Sequence, residues 1–237
     1  MDYEAKVMGG QLILLSKMLP AVDKKDVLDS LMYSQLYASR EADKFEQGQA
    51  WFKRQADAQT NAKWITTNAG SYDDKLPKEK IITVQELMVS GVGHGVGDKF
   101  NLPVDWVASV LCALVDNESV YQIFRQAIVR KKSSCNTGEL EYISDVSVQL
   151  SVVAAKGYMA TVNTVLSVRL DVDENVFTLP FSGEEVVGNI KTSFSFSELD
   201  FSKFSRIRES VVKYISQLPS MPVMDICIPS PTVISAG

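Results

Sequence analysis

The longest regular pattern in this chain runs from Asp145 to Val172, where apolar residues alternate with small polar ones. Val146, Val148, Leu150 and Val152 are interleaved with Ser147, Gln149 and Ser151. After Ala154-Ala155-Lys156-Gly157 the alternation resumes, with Tyr158, Ala160, Val162, Thr164, Leu166, Val168, Leu170 and Val172 in one parity. Successive side chains of a strand point to opposite faces, so a period of two predicts half-buried strands. A four-residue break containing glycine fits a hairpin loop. The pattern predicts a long antiparallel pair whose apolar face is covered by helices from elsewhere in the chain. Its serine- and threonine-rich face is expected to meet water.

Upstream, the spacing changes. Val7, Leu12, Leu14, Leu15, Met18 and Leu19 predict a short helix over residues 7–19, closed by Pro20. Asp23 can cap a longer helix carrying Val27, Leu28, Leu31, Met32, Leu36, Ala38, Ala42 and Phe45 at spacings of three and four. Beyond Gly48, the residues Trp51, Phe52, Ala56, Ala62, Trp64 and Ile65 continue a helical pattern. Residues 66–80, with Asn68, Gly70, Asp73, Asp74 and Pro77, read as a loop. Thr83 and Glu86 form a capping box that opens a helix through Val89. Another helix starts near Pro103 and carries Trp106, Val107, Val110, Leu111, Leu114 and Val115. A third follows the break at Asp116-Asn117, with Arg125, Arg130, Lys131 and Lys132 as its cationic end.

Downstream of the hairpin, Val176–Leu179 and Val186–Phe201 read as strands and Ser205–Leu218 as a helix. Pro219, Pro222, Pro229 and Pro231 confine Val223–Ile228 to an edge strand or an extended arm. Strands do not alternate with helices, which argues against parallel βαβ units. The expected fold class is α+β: a helical region over residues 1–132 packed on an antiparallel β-meander closed by a helix over 139–237, the two forming one compact unit.

Asp26-Val27-Leu28-Asp29-Ser30, Gln35-Leu36-Tyr37-Ala38, Trp51-Phe52 and Trp64-Ile65 together resemble the N-terminal half of an uncharacterised family of bacterial and fungal soluble proteins. The likeness covers roughly residues 20–90. It implies a helical N-terminal half and brings no activity or site residue with it. The family's usual glycine before the second tryptophan is replaced here by Lys63.

Composition narrows the function classes. A net charge of −5 argues against duplex nucleic acid as a partner, since that binding rests on lysine and arginine neutralising phosphates. Cys112, Cys135 and Cys227 form no disulfide framework, which favours a reducing compartment. The acidic start Met1-Asp2-Tyr3-Glu4 is unlike a signal peptide, and the apolar run Val104–Val115 is too short to span a bilayer. The expectation is a protein that is soluble and cytoplasmic when synthesised, with signal-free export left open.

Catalytic candidates are few. Gly91, Gly93, Gly95 and Gly97 alternate around His94 and read as a connection between helices, with a small-ligand loop as the alternative. Val96 stands where the dinucleotide fingerprint needs its third glycine, and no Gly-Lys-Ser/Thr follows. His94 is the only histidine, and the cysteines lack the paired spacing of a zinc site, so neither metal nor cofactor is expected. Cys112 could pair with His94 as a nucleophile. Its setting in Val110-Leu111-Cys112-Ala113-Leu114 reads instead as a buried, inert thiol.

Three function classes follow. The first is a non-enzymatic, self-associating protein that works through its surfaces, with the proline-rich tail as an arm for a protein partner. The second is a membrane-active toxin or virulence protein that inserts an amphipathic hairpin, for which residues 158–172 are long enough. The third is a small-molecule enzyme using His94 and Cys112.

Overall fold

Gly9, in the left-handed region at φ 56°, turns the first apolar run back on itself. Residues 7–19 are therefore not a helix. They belong to a hairpin of β1 (Tyr3–Met8) and β2 (Gln11–Ser16). Every residue of β2 is buried, with Leu12 and Leu14 in one core and Ile13 and Leu15 in another. A strand covered on both faces reads as a continuous apolar run, which periodicity cannot tell from a helix. The computed structural model describes residues 3–95, 104–136, 139–172 and 175–228.

Two helices follow, α1 (Ala21–Glu41) and α2 (Gly48–Asn61). The second stops short of Trp64, because Lys63 adopts φ 68° and reverses the chain. That conformation favours glycine, so a lysine there is strained. Trp64–Asp74 then forms strand β3, in place of the expected helix end and loop. After β4 (Ile81–Ile82) comes α3 (Val84–Gly95). The Thr83 N–H donates to Glu86 Oε2 at 2.8 Å and the Glu86 N–H donates to Thr83 Oγ1 at 3.1 Å, the reciprocal pair of a capping box. Next are α4 (Val104–Asp116) and α5 (Glu118–Ile128), the latter capped by Asn117 Oδ1 accepting from the Val120 N–H.

The second half builds β5 (Val129–Asn136), β6 (Glu139–Val153), β7 (Tyr158–Val168), β8 (Phe181–Ser182) and β9 (Ile190–Leu199). Short helices α6 (Phe201–Phe204) and α7 (Arg208–Ser216) lead to β10 (Val223–Ile226). Arg130, Lys131 and Lys132 lie on β5 and not at a helix end. Val176–Thr178 is a turn, not the expected strand.

One sheet collects these strands in the order β10–β1–β2–β6–β7–β9–β3, with β5 also paired to β6. All neighbours are antiparallel except β2 and β6. The α+β class holds, and strands from both halves of the chain share the sheet. On one face, Val146, Val148, Leu150, Val152, Ala160, Val162 and Leu166 pack under α3, α4 and α5. On the other lie α1, α6 and α7, whose Val27, Leu31, Phe204 and Val211 meet Ile13, Leu15, Val153, Met159 and Leu199. Arg208 clamps this second layer, donating to both carboxylate oxygens of buried Asp26 at 2.6 and 2.5 Å.

Candidate functional site

The polar positions at the middle of the second face are covered. Ser147, Gln149 and Ser151 of β6, Thr161 and Asn163 of β7, and Ser193, Ser195 and Ser197 of β9 are all buried. The strands supply them by simple alternation, since each neighbours a residue of the apolar face. Register then places them side by side: Gln149 opposite Asn163, Ser151 opposite Thr161, Asn163 opposite Ser193 and Thr161 opposite Ser195.

The helices above this patch answer with amides. Gln55 and Gln149 exchange two hydrogen bonds, at 3.0 and 2.8 Å. Gln35 donates to Gln11 Oε1 at 2.6 Å, and Gln11 donates to Ser151 Oγ at 2.6 Å. Ser151 and Thr161 share a hydrogen bond of 2.7 Å. The network is incomplete, for the Ser197 hydroxyl is buried with no partner among the described residues. A buried polar group left unpaired costs about 1–3 kcal/mol, so this layer holds less tightly than an apolar one of the same area.

A charged clamp ties the α1–α2 connection to the sheet. Arg130 reaches Asp43 at 3.2 Å, Glu46 at 2.7 Å and Asp145 at 3.2 Å. Lys132 bridges Glu46 at 3.0 Å and Asp145 at 2.8 Å, and Ser167 donates to Asp145 at 2.6 Å. Burial alone would raise the Asp145 carboxyl, but hydrogen bonds from Lys132, Ser167 and Arg130 outweigh it and hold the group below the usual carboxylate range. Asp43 is also lowered, first by the Glu46 backbone N–H and then, against a small burial penalty, by the Phe45 N–H and Arg130.

The catalytic candidates fare differently. Gly91, Gly93 and His94 lie within α3, which ends at Gly95, so this stretch is helix and not the expected connecting loop. Gly91 is buried against β7, where an added Cβ would come 2.9 Å from Val162 Cγ1, so its small size serves close packing. Gly97 and the imidazole of His94 lie outside the described residues. Cys112 is exposed on α4, between buried Leu111 and Ala113, which corrects the buried-thiol expectation. Cys227 is exposed as well, and the thiol of Cys135 lies outside the described residues. Among the described residues no cluster of three or more histidine, cysteine or acidic side chains could hold a metal.

The polar alternation is visible in the sequence, but its burial is not visible in the strands themselves. The signal was present in Gln35 and Gln55, polar residues on the inward stripe of α1 and α2. Among the described residues no helix is long and apolar enough to cross a bilayer.

No family model matches the chain, and no curated protein matches it. Several solved structures resemble it. Activated Cyt2Ba monomer from Bacillus thuringiensis subsp. israelensis matches over 80% of this chain and 97% of its own, at 10% identity and a TM-score of 0.39. A delta-endotoxin matches over 81% and 84%, at 9% identity and a TM-score of 0.41. The Evf virulence factor matches over 87% and 77%, at 6% identity and a TM-score of 0.36.

Proposed function

We propose that this is a non-enzymatic, membrane-active protein whose central strands enter a lipid bilayer once the covering helices leave them. One observation carries the reading: the middles of strands β6, β7 and β9 alternate apolar with small polar residues although both faces are covered, with Val153, Met159, Val165 and Leu199 as the apolar exceptions on the polar side. A sheet buried on both sides has no packing reason to alternate and ordinarily reads as continuous apolar runs. Alternation is what a bilayer-spanning sheet requires, with one face to lipid and one to an aqueous lumen. The strands are 15, 11 and 10 residues long, against the roughly 9–11 that a tilted transmembrane strand needs.

The energetics support the same reading. Helix α2 meets the middle of the sheet through the Gln55–Gln149 pair, and α1 adds Gln35 beside the apolar contacts of Val27 and Leu31; the amide contacts are ones that water can replace bond for bond. The apolar face loses its helices only where lipid can take their place. A sheet with free edges leaves backbone groups unpaired in hydrocarbon, so insertion also calls for several copies joined edge to edge. The self-association expected from the sequence enters here as part of the proposal.

Two engineered disulfides test it. A Cβ on Gly48 would lie 3.9 Å from Val165 Cβ, and one on Gly91 would lie 3.9 Å from Val162 Cβ, both within disulfide range. With Cys112, Cys135 and Cys227 changed to serine, Gly48→Cys/Val165→Cys pins α2 to the sheet, and Gly91→Cys/Val162→Cys pins α3. Each oxidised protein should release dye from phosphatidylcholine liposomes at least about tenfold more slowly than its reduced form. Equal release from oxidised and reduced forms of both, or no release from the unmodified protein, sinks the proposal.

A further inference from the structure

We infer that the cavity beside the start of α2 is a binding site for a neutral polyhydroxylated ligand of about one sugar unit. It goes beyond the membrane reading and does not depend on it. The cavity holds about 460 Å³ between the start of α2, strands β7 and β9, and the end of β3. Its floor is made by Asn163 and Ser193, cross-strand neighbours only 3% and 8% exposed. Neither side chain makes a hydrogen bond to another described residue, whereas Gln149, next to Asn163 in the sheet, is fully engaged by Gln55. The polar atoms of these two open onto the cavity, where the hydroxyls of a ligand can pair with them.

The walls set the ligand's chemistry. Gln49 and Asn189 add two further amides, each both donor and acceptor. Val165 and Val187 give an apolar side on which a ring's C–H face can lie, beside the Phe45 ring that already carries the Arg130 guanidinium at 4.8 Å and the Lys44 ammonium at 5.1 Å from its centre. At the rim Asp73 and Lys191 are cross-strand partners of opposite charge, and the Glu46 carboxylate is already taken by Arg130 and Lys132. Asp73 and Lys191 offset one another at the rim, which favours neither a phosphate nor a metal ion. What remains is a dense mixture of donors and acceptors beside an apolar patch, which fits a molecule bearing several hydroxyls and no net charge.

Saturation-transfer NMR without lipid tests this, using methyl glucoside, methyl mannoside, methyl galactoside and N-acetylglucosamine, with inorganic phosphate as control. At least one sugar should bind saturably with a Kd on the order of 1 mM. Asn163→Leu should weaken that binding at least about tenfold. Lys191→Met, at an exposed rim position, should weaken it severalfold and decides the matter if Asn163→Leu does not fold. The inference is overturned if no sugar binds saturably, if phosphate binds in preference, or if binding survives both substitutions unchanged. Failure in the liposome assay with sugar binding intact would remove the membrane proposal alone.

Discussion

The paired amides of Gln55 and Gln149 separate what the polar layer does for stability from what it does for function. Changing Gln149 to leucine removes two hydrogen bonds and strands the buried Gln55 amide. The unsatisfied group costs about 1–3 kcal/mol, and the added apolar surface returns only part of that. Each single substitution should therefore destabilise by about 2 kcal/mol, a fall of roughly 4–8 °C in Tm for a chain of this size. Gln55→Leu/Gln149→Leu should behave otherwise, because replacing both partners with apolar groups is nearly neutral. We expect the double variant within about 1 kcal/mol of the unmodified protein, a coupling of about 3 kcal/mol. Urea unfolding followed by tryptophan fluorescence measures all four corners of the cycle. The same double variant should permeabilise liposomes several-fold more slowly, since it carries leucine where a lumen needs an amide. A double variant as unstable as the two singles summed, or one that permeabilises at the unmodified rate, would refute the reasoning.

Two further outcomes follow from the packing and the clamp. Gly91→Leu should lose about 1–3 kcal/mol through overpacking against Val162, and Val162→Ala should restore part of it in the same thermal melt. Asp43 and Asp145 have lowered carboxyl groups in the folded protein, so the stability they contribute is present above about pH 4 and is lost as pH falls toward their folded values. Arg130→Met should flatten that acid limb by about 1 kcal/mol, a modest figure because Asp43 and Glu46 face solvent; an unchanged Tm-versus-pH curve contradicts the clamp.

Legibility from sequence depended on which surface each strand met. The β6–β7 hairpin is plain because Val146–Val152 alternates without a fault and Ala160–Val168 departs from the pattern only at Thr164 and Val165. The β1–β2 hairpin was opaque because Leu12–Leu15 is apolar on both sides. Strand β3 read as a loop because, after Trp64, its residues are largely exposed at the sheet edge and include Asn68, Gly70 and Ser71. The burial of Ser147 and Asn163 could not be read from their own strands, since alternation looks the same beneath water as beneath glutamines. The exposure of Cys112 is hidden in the sequence because its four apolar neighbours do not reveal which side of α4 points outward.

The pairing of β2 with β6 carries a cost during synthesis. Gln11 must wait for Ser151, 140 positions later, before its side chain finds its hydroxyl partner. At ordinary ribosomal speeds that interval is roughly ten seconds, during which Leu12–Leu15 has β1 and α1 beside it but no strand on its other edge. The free edge of β2 is therefore the apolar surface that the late arrival of β6 leaves open to wrong partners.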